Sequence, residues 1–376
     1  MPLWAIYAPI PESELSKDLI LSAKTSVAHD SNLFGAASAG VGSVIFSVAP
    51  RITYSGSVTD QLFLATSYGL TLDKFATRPG EKLLSSHEAM MRLAYGFSKS
   101  TVLDVTEMVM ASRNPESLLA GVPLSPDQSF LRNQIDGRFD TPVSGKVLAT
   151  LKARSIYFEY KNGALGRSID RVENILGVAG EYAILPEFKA VGEYRHQEVY
   201  YRKEGETKNK VSELLMGGFE YALARKFSLS TRLGIEFRKR SAERSATAPF
   251  AELAGKYDYT EKSFLTAGLG YNLEETSDTA RFTDTQSKKV FVALQHSMTA
   301  LISASVSVSY EPAVLQGRRG VKSLNEQALR AGSALSYLPS KNWTVSGSLD
   351  FDRSRSDDPT RNMDRRRLGL SGNYSF

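Results

Sequence analysis

From Ile302 to Tyr310 apolar and polar residues alternate one by one: Ile302, Ala304, Val306, Val308 and Tyr310 are separated by Ser303, Ser305, Ser307 and Ser309. A helix would scatter these serines around its circumference, whereas a strand puts all of them on one face and the apolar side chains on the other. The same period recurs along the chain. Leu368, Leu370, Gly372, Tyr374 and Phe376 alternate with Arg367, Gly369, Ser371, Asn373 and Ser375, and Trp343, Val345, Gly347, Leu349 and Phe351 with Thr344, Ser346, Ser348, Asp350 and Asp352. The period predicts strands at 19–29, 43–57, 62–74, 87–98, 102–113, 131–140, 146–160, 171–183, 188–202, 212–223, 227–239, 248–259, 264–275, 287–297, 301–312, 325–337, 342–354 and 364–376.

The connections alternate too. Brief ones, such as 58–61, 99–101, 141–145 and 338–341, follow every even strand, and longer polar ones, such as 30–42, 114–130, 276–286 and 313–324, follow most odd strands. An antiparallel meander whose two ends face different environments produces this; a sandwich with crossovers does not. Strand content of roughly 60% is out of range for a globular domain but normal for a membrane barrel with apolar outward and polar inward residues. The predicted fold is therefore all-β: a single closed antiparallel up-and-down transmembrane β-barrel of about 18 strands, with 16 as the alternative. It has short periplasmic turns and longer extracellular loops. The barrel is expected to occupy 19–376, after a mobile N-terminal lead at 1–18.

Aromatic placement points the same way. Tyr54, Tyr95, Phe97, Phe139, Tyr182, Phe188, Tyr221, Phe227, Tyr257, Tyr259, Phe264, Tyr337, Trp343, Tyr374 and Phe376 lie near short turns or the carboxyl terminus, predicting one girdle at one interface. On the opposite phase of their strands lie Arg51, Arg132, Asp136, Arg138, Lys152, Arg154, Arg232, Glu236, Arg238, Lys256, Asp258, Arg330, Asp350, Asp352, Arg365 and Arg367, together with Lys24, Glu193, Arg195 and Glu252. A basic side chain facing mid-bilayer lipid costs ~2–4 kcal/mol. This phase is therefore expected to face the lumen, where the charges either line a hydrated channel or bridge across it and narrow it.

Composition removes most other chemistry. The 376 residues contain no cysteine, which excludes disulfides, thiol catalysis and Cys-based metal sites. Four histidines, at 29, 87, 196 and 296, are too scattered for a short-spaced metal motif, and neither metal nor cofactor is expected. Forty-six basic against 41 acidic residues give +5, spread evenly, which does not describe a nucleic-acid surface. Gly35 to Gly42 is rich in small residues but lacks the Lys-Ser/Thr pair of a phosphate loop. Gly317-Arg318-Arg319-Gly320 is a basic loop, by default a solvated hairpin, with contact to anionic lipopolysaccharide as the other reading. A hydrolase would need a histidine beside a nucleophile and an orienting acceptor; His29 next to Asp30 and Ser26, and His87 next to Glu88, Ser85 and Ser86, are the two places to look. Met1 to Asp18 has neither the basic start nor the apolar core of a signal peptide, so the chain is expected to be a mature or engineered form or to carry a misassigned start.

Leu370, Tyr374 and Phe376, at alternate positions of a last strand ending in an aromatic residue, resemble the carboxyl-terminal assembly signal of Gram-negative outer-membrane barrels. His29-Asp30-Ser31-Asn32-Leu33-Phe34 is similar to the opening Asp-Asn-hydrophobic signature of the beta-barrel porin type 2 family, whose members accompany exopolysaccharide operons; its other reading is a polar loop start whose side chains cap turns. Gly180 to Pro186 leading into Val191-Gly192-Glu193-Tyr194-Arg195 resembles that family's repeated hairpins. The resemblance implies an outer-membrane location in a Gram-negative cell and contact with outer-membrane lipid, lipopolysaccharide and the barrel assembly machinery. It also implies a porin-like channel for small polar solutes or sugars, linked to exopolysaccharide export, rather than an enzyme. Polysaccharide or periplasmic secretion components are the further expected partners. A closed docking barrel, plugged by inward loops such as Asn114 to Phe130, is the alternative, and an outer-membrane hydrolase the third reading.

Overall fold

The computed structural model describes residues 19–112, 129–223, 226–276 and 278–376. The 1–18 lead and nearly all of the 114–130 loop fall outside them. Eighteen strands form one sheet: β1 Leu19–Asp30, β2 Ser43–Ser57, β3 Leu62–Phe75, β4 Leu83–Gly96, β5 Val102–Ser112, β6 Phe130–Pro142, β7 Val147–Tyr160, β8 Arg171–Leu185 and β9 Phe188–Tyr201. The second half follows as β10 Lys210–Leu223, β11 Phe227–Arg240, β12 Ala246–Thr260, β13 Ser263–Glu275, β14 Phe282–Ser297, β15 Ile302–Gly317, β16 Leu324–Ser340, β17 Trp343–Ser356 and β18 Met363–Ser375. Each strand pairs antiparallel with its chain neighbours, and β1 also pairs with β18 (Ser22 opposite Ser375 through Asp30 opposite Arg367), so the sheet closes. Closure leaves no unpaired edge. Among the described residues no helix is long and apolar enough to cross a membrane.

All eighteen predicted strands are present, but several run further toward the long connections than the period showed. β4 begins at Leu83, β14 begins at Phe282 and β15 ends at Gly317. The short helices α1 (Gly163–Ile169) and α2 (Gly205–Lys208) lie in two of these connections. With strands 4.7–4.9 Å apart and tilted by about 40°, eighteen of them enclose a backbone cylinder roughly 35 Å across, too wide for side chains to fill.

The two faces differ as the pattern requires. Leu215, Leu233, Leu368 and Leu370 are each more than 60% exposed. They stand on the convex face, where a bilayer would cover them. The aromatic girdle near the short turns is in place: Tyr95 meets Phe97, Phe188 meets Tyr221, and Tyr374 packs between Trp343, at a tilt, and Phe376, edge to face. Phe264 departs from it. It sits on the face of Asp258, with the Lys256 ammonium 4.8 Å from its ring centre. A second outward set, Phe46, Tyr200, Phe237 and Tyr310, lies nearer the long connections, so the single girdle of the sequence reading becomes two.

Candidate functional site: the barrel lumen

Side chains on the concave face of a barrel converge, so pairs that reach over an intervening strand identify that face. Arg51 on β2 meets Glu88 on β4 at 3.1 Å, and Lys152 on β7 meets Glu193 on β9 at 2.9 Å. Both bridges pass over small residues. Gly69 lies between Arg51 and Glu88 in register, and a Cβ there would stand 3.2 Å from the Arg51 guanidinium; under the second bridge Gly177 stands opposite Lys152, and Ala179 opposite Glu193.

Most of the charges singled out in the sequence are paired along the wall. Arg138 binds Asp140 (2.7 Å), Arg195 binds Glu193 (2.5 Å), Arg232 binds Glu220 (2.6 Å), Lys256 binds Asp258 (2.8 Å) and Arg367 binds Asp352 (3.4 Å). Arg154 pairs with Asp136, and Arg132 donates to Gln134 at 2.5 Å. Many of these partners are two residues apart on one strand, the spacing that keeps both on one face. Arg330, Asp350 and Lys24 enter no ion pair among the described residues.

Arg365 pairs with Asp30 across the closing seam. Asp30 is fully buried and also accepts from Asn32 N (2.9 Å), while the Asn32 side chain accepts from Ala36 N and donates to Ala36 O (both 2.9 Å). The Asp-Ser-Asn stretch thus caps a turn at the seam.

The largest charge cluster was only partly foreseen. β12 pairs with β13 only as far as Tyr271, and beyond that point the β13–β14 hairpin leaves β12. Its carboxylates reach β10 and β11. Lys210 Nζ lies 2.6 Å from Glu275 Oε2 and 3.0 Å from Asp284 Oδ1; Arg238 Nη1 lies 2.6 Å from Asp284 Oδ1 and 3.1 Å from Glu275 Oε1. Arg238 Nε donates to Glu236 (2.8 Å) and Ser212 (2.9 Å), Arg240 pairs with Asp284, and the Tyr201 hydroxyl donates to Glu275 (2.6 Å). Three cations face three carboxylates, and Arg238 is 2% and Asp284 0% exposed. Of this group only Glu236 and Arg238 stood on the predicted lumen phase. Beside it, Phe130, Phe158, Tyr160 and Ile169 of α1 form an apolar cluster over which the Arg171 guanidinium lies, 5.5 Å from the Phe158 ring.

Above the cluster the long connections are tied together. Thr279 donates to Ser168 O (2.7 Å), Lys208 to Arg167 O (3.2 Å), Arg318 to Thr279 O (2.8 Å) and Thr207 O (3.2 Å), and Arg281 to Asp358 (3.1 Å). Arg318 therefore ties the long connections to one another.

The adjoining wall is different in kind. Ser303, Ser336, Ser346, Ser371, Ser26 and Ser47 stand opposite one another in register across β15, β16, β17, β18, β1 and β2. They share the inward phase. Because tilted strands make a perpendicular row climb along the barrel axis, the hydroxyls rise from Ser303 beside a short turn toward Ser47, which donates to Asp73 at 2.5 Å near the long connections. Ser336 and Ser346 are 2.8 Å apart.

The histidines show no catalytic arrangement. His87 faces outward with Nδ1 2.8 Å from the Tyr68 hydroxyl, while Glu88 points inward to Arg51 and Ser86 to Ser112. His29 is exposed, on the opposite side of β1 from buried Asp30. His196 lies between Glu198 and Glu213, and His296 contacts Tyr259. Among the described residues no group of three or more metal-ligating side chains is assembled.

No protein-family model and no curated protein matches the sequence. Among solved structures the chain is similar to OpdK of Pseudomonas aeruginosa with vanillate (9% identity, 96% of this chain and 99% of that one, TM-score 0.52). It is also similar to OccAB4 of Acinetobacter baumannii (11%, 95% and 97%, TM-score 0.50) and the FrpB iron transporter of Neisseria meningitidis (10%, 96% and 83%, TM-score 0.52). The fold is that of an outer-membrane β-barrel. Its lumen has one wall of interlocked charge beneath tied loops and an adjoining wall crossed by a row of serine hydroxyls that runs among inward charges such as Arg330, Asp350 and Lys24.

Proposed function

We propose that the barrel sits in the outer membrane of a Gram-negative cell and carries small polar solutes, sugars among them, along the β15–β2 wall. The serine row is the observation that carries this reading. It supplies paired donors and acceptors on small side chains that leave room for solute and water. The inward charges named above, from Arg51 to Arg367, are lumen-lining residues on this reading. Because most are paired, they give the passage polarity with little net sign, so ion selectivity is weak. No step of bond making or breaking is assigned to any residue. Leu370, Tyr374 and Phe376 serve as the assembly signal read by the barrel assembly machinery. The link to exopolysaccharide export rests on the resemblances at 29–34 and 180–195.

The tied loops favour one second reading, a docking barrel whose outer end stays shut. Flux into proteoliposomes separates the two. Uptake of neutral oligosaccharides that stops above a size limit supports the channel; tight vesicles containing verified, folded protein support the docking barrel.

A further inference from the structure

The outer rim of the convex face changes sign around the barrel. On β18 the outward column runs Phe376, Tyr374, Gly372, Leu370, Leu368 and then Arg366 and Asp364; on β17 it runs Trp343, Val345, Gly347, Leu349, Phe351 and then Arg353 and Arg355. Tyr374 and Arg366 are eight positions apart along the strand. At about 3.3 Å per residue and a tilt of about 40° this is roughly 20 Å along the membrane normal, near the top of an apolar band about 25 Å tall. The guanidiniums therefore stand at headgroup level, where their cost falls to ~0–1 kcal/mol.

They are held in place. Arg353 Nε donates to Asp364 Oδ1 (2.7 Å) and Arg355 Nη2 to Oδ2 (2.6 Å). Arg355 also reaches the carbonyls of Ser354 and Met363 (2.8 and 3.1 Å), and Arg353 lies 5.2 Å from the Phe351 ring centre. Arg366 is fixed through its backbone, its N donating to Ser31 Oγ (2.9 Å) and its O accepting from Ser31 N (3.0 Å). Its guanidinium has no carboxylate partner among the described residues. From β17 through β18, β1 and β2 to β3, Asp364 is the one carboxylate on the outward phase of the described strands, while His29 and Lys74 add basic groups. On β5 to β10 the same phase carries Glu107, Glu159, Glu198 and Glu213.

Arginine forks match the oxygens of phosphate in pairs. We propose that Arg353, Arg355 and Arg366 form a docking site for the phosphate groups of a phosphorylated glycolipid headgroup in the outer leaflet, with Asp364 orienting two of the three forks. The site rests on the membrane placement proposed above.

The test uses the full chain, refolded in detergent, with bisphosphorylated lipid A, dephosphorylated lipid A or inorganic phosphate, read by native mass spectrometry and by thermal shift. The wild type retains bisphosphorylated lipid A and is stabilised by it; Arg366→Gln, which breaks no ion pair, weakens retention about tenfold, as loss of one charge-assisted contact predicts. Arg353→Gln with Arg366→Gln weakens it further. Equal retention by wild type and Arg366→Gln overturns the site, and equal retention of dephosphorylated lipid A overturns the phosphate assignment. Stabilisation by inorganic phosphate alone to the same extent overturns the lipid assignment. Insertion into phospholipid vesicles is scored in parallel: a chain that inserts but fails these comparisons loses only the docking site, whereas one that does not insert loses the membrane placement as well.

Discussion

The two walls of the lumen solve opposite problems. On the β9–β14 side, Lys210, Arg238, Arg240, Glu236, Glu275 and Asp284 are withdrawn from water and hold a hairpin that has left its neighbour β12. On the β15–β2 side a row of serines presents hydroxyls on the shortest side chains that carry them. Long charged side chains on an inward face can meet and fix a position, whereas short neutral ones cannot reach across and so leave space. One wall secures the outer end, and the other keeps a path beside it.

The largest separation between the walls is expected from Arg238→Ala. It removes the one cation among the described residues that touches all three buried carboxylates, Glu236, Glu275 and Asp284, at a cost of about 3–5 kcal/mol. Thermal unfolding in detergent moves down markedly, and single channels become larger and noisier as the β13–β14 hairpin comes free. Ser336→Leu combined with Ser346→Leu acts on the other wall. Sugar flux into proteoliposomes falls several-fold while the unfolding temperature stays near that of the wild type; an unchanged flux would move the path elsewhere.

Arg318→Ala removes the ties to Thr279 O and Thr207 O and is expected to cost roughly 1 kcal/mol for each of the two hydrogen bonds lost. Its signature is more frequent opening and closing, with conductance unchanged between transitions. Acidification should have the smallest effect. The Thr360 hydroxyl and then Arg281 hold the Asp358 carboxyl below its ordinary range, and the hydrogen bond that Arg281 donates to the Asp278 carboxylate raises Arg281. The Arg281 tie is therefore complete above the usual aspartate value of about 3.9 and is lost only as pH falls through the lowered one. Gating recorded with the outer side at neutral and mildly acidic pH should be the same.

Much of this was legible in the alternation. Each strand keeps one face to water and one to lipid, so period two marks all eighteen and assigns charges such as Arg138 and Lys152 to one phase. The strand ends were not legible because beyond the apolar band outward residues no longer need to be apolar: β14 from Phe282 and β15 as far as Gly317 lose the contrast while keeping their ladder. The register shift between Phe282 and Thr285 also breaks the phase at Asp284, which reads as a loop aspartate. Asp30 and Arg365 are joined only when the barrel closes. The serine row is a property of register between strands, and no single strand contains it.

Single-channel recording of the refolded chain in a planar bilayer, with insertion verified, bears most directly on the open serine wall. Expected are stable, weakly ion-selective conductance steps in the wild type, transient blockade by a linear neutral oligosaccharide, and weaker blockade in Ser336→Leu/Ser346→Leu. Silent bilayers from both the wild type and Arg238→Ala would contradict a conducting lumen.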